Sequence, residues 1–153
     1  LGGFHFNDSK CGDDDLDSGS INPHQLFLVF NELVEAEHAD PANFHPAYMI
    51  DQSHNVTDPA ESLLSSAEAI AAAFARALLV DRQALAEYRA RNDVMESFRT
   101  LRRAYEVDVA PLLALVRVEA GGAADPIMAY RESNWRARKA QERKRAKAGS
   151  GIV

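Results

Sequence analysis

The residues most able to do chemistry form one block, Phe4-His5-Phe6-Asn7-Asp8-Ser9-Lys10-Cys11-Gly12-Asp13-Asp14-Asp15. An imidazole is followed, beyond a glycine turn, by three consecutive carboxylates. One nitrogen and several oxygen donors of this kind suit Mg, Mn, Co or Zn better than a thiophilic ion. Like charges crowded into one loop repel each other unless a cation offsets them. Asp13 and Asp15 stand two apart, so in extended backbone both point the same way and can clasp one ion. The bland alternative for the same composition is a solvated loop. A helix–loop–helix calcium site does not fit: counting from Asp13, the sixth position is Ser18 rather than Gly and the twelfth is His24 rather than Glu.

A second constellation is Tyr48-Met49-Ile50-Asp51-Gln52-Ser53-His54-Asn55. Asp51 closes an apolar run, and the carboxyl end of a parallel strand is where barrel enzymes place ligands and catalysts. Taken alone, such an aspartate equally serves to cap the next turn. His54 reads as a surface loop residue as readily as a ligand. His24, His38 and His45 are scattered and carry no pattern.

These side chains need elements to hold them. Gly2–Asn7 is short, aromatic and glycine-led, which predicts a buried strand. Residues 8–22 form a polar loop of a length that is often functional in compact domains. Asn22-Pro23 is an N-cap followed by proline in the first helical position, and Leu26, Phe27, Val29, Phe30, Leu33 and Val34 predict an amphipathic helix over 23–37. Ala47–Asp51 predicts a second strand and 52–57 a second loop. Asp58-Pro59-Ala60-Glu61 then opens a helix running to about Val80. Strand–loop–helix repeated twice is a βαβα unit, the building block of parallel sheets.

The remainder predicts helices: 82–106, with a break at Asn92-Asp93; Val109–Val118, capped by Asp108 and ended by Gly121-Gly122; and one last helix from Asp125-Pro126 through Ile127 to about Ala146. The Phe27/Phe30 and Phe98/Tyr105 stripes have the spacing of core positions. Residues 1–80 are therefore expected to carry the site and 81–153 to be a helical extension. Two strands make no stable parallel sheet by themselves, so the expected fold is a portion of a larger one.

Read together, GFHFNDSK-GDDDL and YMIDQSHNVTDPAESLLSSAEAI resemble the last two strand–loop units of the (β/α)₈ barrel in the L-rhamnose isomerase family, in its bacterial branch of broad substrate range. The resemblance runs on through Asp125-Pro126 and Tyr130-Arg131-Glu132-Ser133. It implies an α/β fold, the C-terminal portion of a TIM barrel followed by C-terminal helices. It implies that His5 and Asp51 share one metal ion and that Asp13 and Asp15 hold a second, catalytic ion, with Asp14 the outward carboxylate of the loop. Asp51, Asp13 and Asp15 would thus serve catalysis. Lys10 and Ser53 are implied to contact substrate or to support the ligands; Cys11 receives no role. The implied cofactor is a pair of divalent ions, Mn before Co, Zn or Mg, and the implied reaction is aldose–ketose interconversion of L-rhamnose and L-rhamnulose. The family's remaining ligands, a Glu, an Asp and a His on the two preceding strands, are absent here. This polypeptide alone is therefore expected to be inactive, its partners being a sugar, the other part of the barrel and three further subunits of a tetramer. Two alternatives stay open: another xylose-isomerase-like barrel enzyme, such as an epimerase or endonuclease, and a non-catalytic metal-binding or assembly module.

Bulk properties narrow the field. With 153 residues and 46% hydrophobic content the chain can bury a core, and its apolar runs are too short and too broken by charge to span a membrane. A single cysteine rules out an internal disulfide framework and fits a reducing compartment. Leu1-Gly2-Gly3 contains neither an initiator Met nor a secretory leader, so the expectation is upstream sequence and a cytoplasmic location. The net charge of −6 conceals an asymmetry: residues 1–80 hold thirteen acids against two bases, and 81–153 hold ten acids against fifteen bases. The basic run Trp135–Arg145 invites nucleic acid, but no aromatic series or base-reading motif accompanies it, and a solvated helix is the simpler expectation.

Overall fold

The computed structural model describes residues 2–53 and 57–150, the side chains of 146–150 excepted. Elements run β1 (Gly3–Phe6), α1 (Pro23–Ala39), β2 (Ala47–Ile50), α2 (Pro59–Leu78), α3 (Arg82–Ala90), α4 (Val94–Tyr105), α5 (Ala110–Glu119), α6 (Pro126–Glu132) and α7 (Trp135–Ser150). The βαβα order of the first eighty residues is the predicted one.

The helix starts follow from capping chemistry. The Asn22 side chain accepts from the Gln25 amide, Asp58 from those of Ala60 and Glu61, Asp81 from Ala84, Asp93 from Glu96 and Asp125 from Met128. Each satisfies a first-turn N–H that the helix itself leaves without a partner. Four starts, those of α1, α2, α5 and α6, add proline in the first turn, where its missing N–H costs nothing. At α5 the Asp108 carboxylate accepts from the Ala110 amide at 3.0 Å, although Val109 occupies the cap position.

β1 and β2 are parallel neighbours, with Gly3 opposite Ala47, His5 opposite Met49 and Phe6 opposite Ile50. Gly3 is required there, since a Cβ would lie 2.7 Å from the Ala47 carbonyl oxygen. The ladder extends one step beyond the strands, where the Asp51 amide donates to the Phe6 carbonyl at 3.1 Å. Helices α1 and α2 pack against each other and cover one face of the pair. Phe6, Phe27, Phe30, Val34, Ala77 and Leu85 form the heart of the core, with the Phe6 and Phe30 rings stacked at 5.1 Å. Full burial of each such phenylalanine contributes about 1.5–3 kcal/mol.

Several expectations need correction. The first strand is not buried as expected, Phe6 being the one buried residue of β1; β2 is as open, with Tyr48 and Met49 45% and 53% exposed. Parallel sheets ordinarily have both faces covered, and here helices cover only one. Phe98 is not core either, being 48% exposed on α4, whereas Tyr105 packs against the core at the other end of that helix. The final helix is two. Asn134 adopts φ 51, a left-handed conformation that no helix continues through, and the Ser133 hydroxyl accepts from the Trp135 amide to start α7 afresh. Among the described residues no single helix is long and apolar enough to cross a membrane; α2 and α3 reach that length together only across a 69° bend.

A candidate divalent-metal site at two strand ends

Parallel pairing puts the carboxyl ends of β1 and β2 side by side, and the side chains just there are those the sequence singles out. His5 Nδ1 lies 3.3 Å from Asp51 Oδ2, with the two side chains 60% and 63% exposed. Two donors bound to one ion at about 2.0–2.2 Å, with an angle near 100° between the bonds, stand about this far apart. One imidazole nitrogen and one carboxylate oxygen, open to solvent on the same side, therefore suit a shared cation as well as an ion pair.

The long loop after β1 brings its acids to the same end by a different route. Asp8 anchors it: the backbone of Asp8 bridges Leu16 in both directions at 2.9 and 2.7 Å, and Asp8 Oδ2 accepts from the Ile21 and Asn22 amides at 2.9 Å each. Asp15, at φ 45, is held from both sides. The Asn7 side-chain Nδ2 donates to Asp15 Oδ1 at 2.7 Å, and the Ser53 N–H donates to the Asp15 carbonyl at 2.8 Å. The loop of Asp13 and Asp15 is thus bonded directly to the segment that follows Asp51.

Asp14 corrects one expectation. It does not point outward; its carboxylate turns back to accept from the Lys10 and Cys11 amides at 3.1 Å each. The left-handed Gly12, φ 67, makes the tight turn that allows it. Asp13 and the Lys10 side chain stay on the exposed surface of the same loop. His5 and Asp51 are brought together, but among the described residues no three His, Cys, Asp or Glu side chains gather as one metal-holding group. His54 lies outside the described residues. His24 is an aromatic packing residue, its ring edge-on to Tyr105 at 4.8 Å.

What the sequence reading missed is the polar network under the site. Gln52 Nε2 donates to Asp17 Oδ1 and to Ser62 Oγ at 2.7 Å each, Ser62 Oγ donates to Asp17, and Ser66 Oγ donates to Gln52 Oε1 at 2.5 Å. The Ser18 amide donates to Ser66 Oγ at 3.0 Å. Ser18, Ser62 and Ser66 are all buried. A signal existed: Ser62 and Ser66 are four apart on the inward face of an otherwise alanine-rich helix, and a hydroxyl there needs a buried partner.

Every residue of the chain aligns with a probable sugar isomerase of Mesorhizobium japonicum at 57% identity, and with another of Rhizobium meliloti at 58%. The chain is similar to probable sugar isomerases. It spans 36% of the length of each of these relatives, and no protein-family model matches it.

Proposed function

We propose that this chain is the metal-holding portion of a divalent-metal-dependent aldose–ketose isomerase of the L-rhamnose/L-rhamnulose type, folded as the last two strand–helix units of a (β/α)₈ barrel. The observation that carries the proposal is the 3.3 Å approach of His5 to Asp51 at the carboxyl ends of adjacent parallel strands. The alignment with probable sugar isomerases supports sugar isomerisation over the nuclease reading of the same donor types. Further strands would pair with the open edges of β1 and β2 and close a barrel whose packed interior covers the face that α1 and α2 leave open, and the complete enzyme would be a cytoplasmic homotetramer.

In this reading His5 and Asp51 would hold one ion, Mn before Co, Zn or Mg, and Asp13 and Asp15 would supply carboxylates to a second. A divalent ion supplies Lewis-acid stabilisation of the alkoxide character that develops on a sugar oxygen during the shift between C1 and C2. The chain's own residues do the rest. Asn7 fixes the Asp15 carboxylate, the Ser53 amide fixes the Asp15 carbonyl, and Lys10 and Ser53 would contact the polar substrate. Further donors from outside this chain complete the coordination.

The test is a ketose assay on the full-length protein, stripped with chelator and reloaded with Mn²⁺, Co²⁺, Zn²⁺ or Mg²⁺, with L-rhamnose among a panel of aldoses. Metal-dependent ketose formation is expected, fastest with L-rhamnose, with no turnover by the 153-residue polypeptide alone. Equal turnover with and without metal, or turnover of no aldose, would refute the proposal.

A further inference from the structure

Gln52 sits between the two candidate site residues Asp51 and Ser53, yet its side chain turns away from the strand ends and into the protein. Both ends of its amide are used there, the nitrogen by Asp17 and Ser62 and the oxygen by Ser66. Asp17 and Ser18, which meet this network, belong to the other loop, the one that carries Asp13 and Asp15. Both serines on α2 are essentially withdrawn from solvent, Ser62 at 4% and Ser66 at 0% exposure. The loop passes so close to the same helix face that a Cβ on Gly19 would lie 2.9 Å from that of Ala69, one turn beyond Ser66.

We infer that Gln52 is a positioning residue: through Asp17, Ser62 and Ser66 it sets the loop bearing Asp13 and Asp15 at a fixed distance from Asp51. Two strand-end loops have no ladder between them and would otherwise drift independently, whereas a cation bound by both needs them within about half an ångström of their bound places. The surface bond from the Ser53 amide to the Asp15 carbonyl is one restraint and is open to water. The Gln52 network is the second; it is part-buried, with Ser62 and Ser66 withdrawn from solvent, so its hydrogen bonds compete with water less than the Ser53 bond does. Hydrogen-bonded partners behind metal ligands commonly govern affinity by about 10- to 100-fold. The inference rests on the metal-site reading for its affinity consequence, and on the structure alone for the coupling of the loops.

The test uses the full-length protein and four variants: Gln52→Leu, which keeps volume and removes every side-chain hydrogen bond of Gln52; Ser66→Ala, which removes two, one to Gln52 and one from the Ser18 amide; Asp17→Leu; and Asp17→Asn, which keeps the acceptor oxygen. Mn²⁺ affinity is measured by calorimetric titration, and amide hydrogen exchange is followed for residues 10–20 and 51–53. Gln52→Leu and Asp17→Leu should weaken Mn²⁺ at least about 10-fold and speed exchange in both loops together. Asp17→Asn should stay within about threefold of the parent, a rescue that general loss of packing would not show. Wild-type Mn²⁺ affinity in Gln52→Leu with both loops still protected would overturn the inference, as would faster exchange in only one loop. Should the parent itself bind no Mn²⁺, the metal reading fails, and coupled exchange of the two loops still decides whether Gln52 positions them. If Gln52→Leu does not fold, Ser66→Ala and the Asp17 pair decide in the same way.

Discussion

His5 and Asp51 are not paired in the strand register; His5 lies opposite Met49, and Asp51 comes two residues after Met49, just past the end of β2. Their side chains nevertheless meet at 3.3 Å, because the ladder continues through the Asp51 amide to the Phe6 carbonyl and keeps the two chains adjacent past the last strand residue. The contact is a product of parallel pairing, and the first prediction concerns its chemistry.

In the full-length protein, His5→Asn and Asp51→Asn should each lower Mn²⁺ affinity by more than about 100-fold, beyond the range typical of outer contacts. Both side chains are more than half exposed, so far-UV circular dichroism and the unfolding midpoint should stay close to the parent's. Calorimetric titration decides; unchanged affinity in either variant removes that residue from the site.

The two aromatic stripes should behave very differently. Phe30 is 1% exposed and stacked on Phe6, so Phe30→Ala should destabilise by about 3–5 kcal/mol. Phe98 is 48% exposed, and Phe98→Ala should cost under about 1 kcal/mol, the scale of a surface change. Urea unfolding of the two variants gives the comparison.

Gly19 combines φ 76 with the 2.9 Å approach to Ala69. Gly19→Ala should therefore destabilise by more than about 1 kcal/mol, from backbone strain and overlap together. Adding Ala69→Gly relieves only the overlap, so the double variant should recover part of the loss once the cost of glycine in α2 is subtracted. Full recovery would mean that the left-handed backbone carries no strain.

Acid should loosen the junction between α2 and α6–α7. The Glu61 amide in the first place holds the Asp58 carboxyl below its usual range against a partial burial that opposes it, and Tyr130, the Ala60 amide and Arg136 add to the lowering. The folded state thus favours the ionised form. Its contribution is present above the ordinary aspartate pKa and is lost as pH falls below about 4 and through the depressed folded value. Thermal midpoints of parent and Asp58→Asn, which keeps the helix cap and loses the charge beside Arg136, should differ by a constant amount above about pH 5. That gap should close on acidification. A gap unchanged down to about pH 3 would show that ionisation of Asp58 does not hold the junction.

Much of the architecture was legible because its causes are local. Asn22-Pro23, Asp58-Pro59 and Asp125-Pro126 announce helix starts through side-chain acceptors and a missing N–H, and the apolar spacing of Leu26 to Val34 places the inward face of α1. The division at Asn134 was not legible, since Tyr130-Arg131-Glu132-Ser133 and the residues beyond Trp135 all tolerate a helix, and one left-handed Asn separates them.

The sequence by itself determined which residue types could bind a cation and that they stand at strand ends, because donor chemistry and strand patterning are properties of short segments. Only the tertiary structure decided which of them meet. Pairing across 46 residues brings His5 to Asp51, the turn at Gly12 folds Asp14 back onto its own loop amides, and Gln52 finds Asp17 and two serines of α2. Such contacts depend on where separate elements come to rest against one another. No local spacing encodes that; it follows from how the sheet pairs and how the helices close over it.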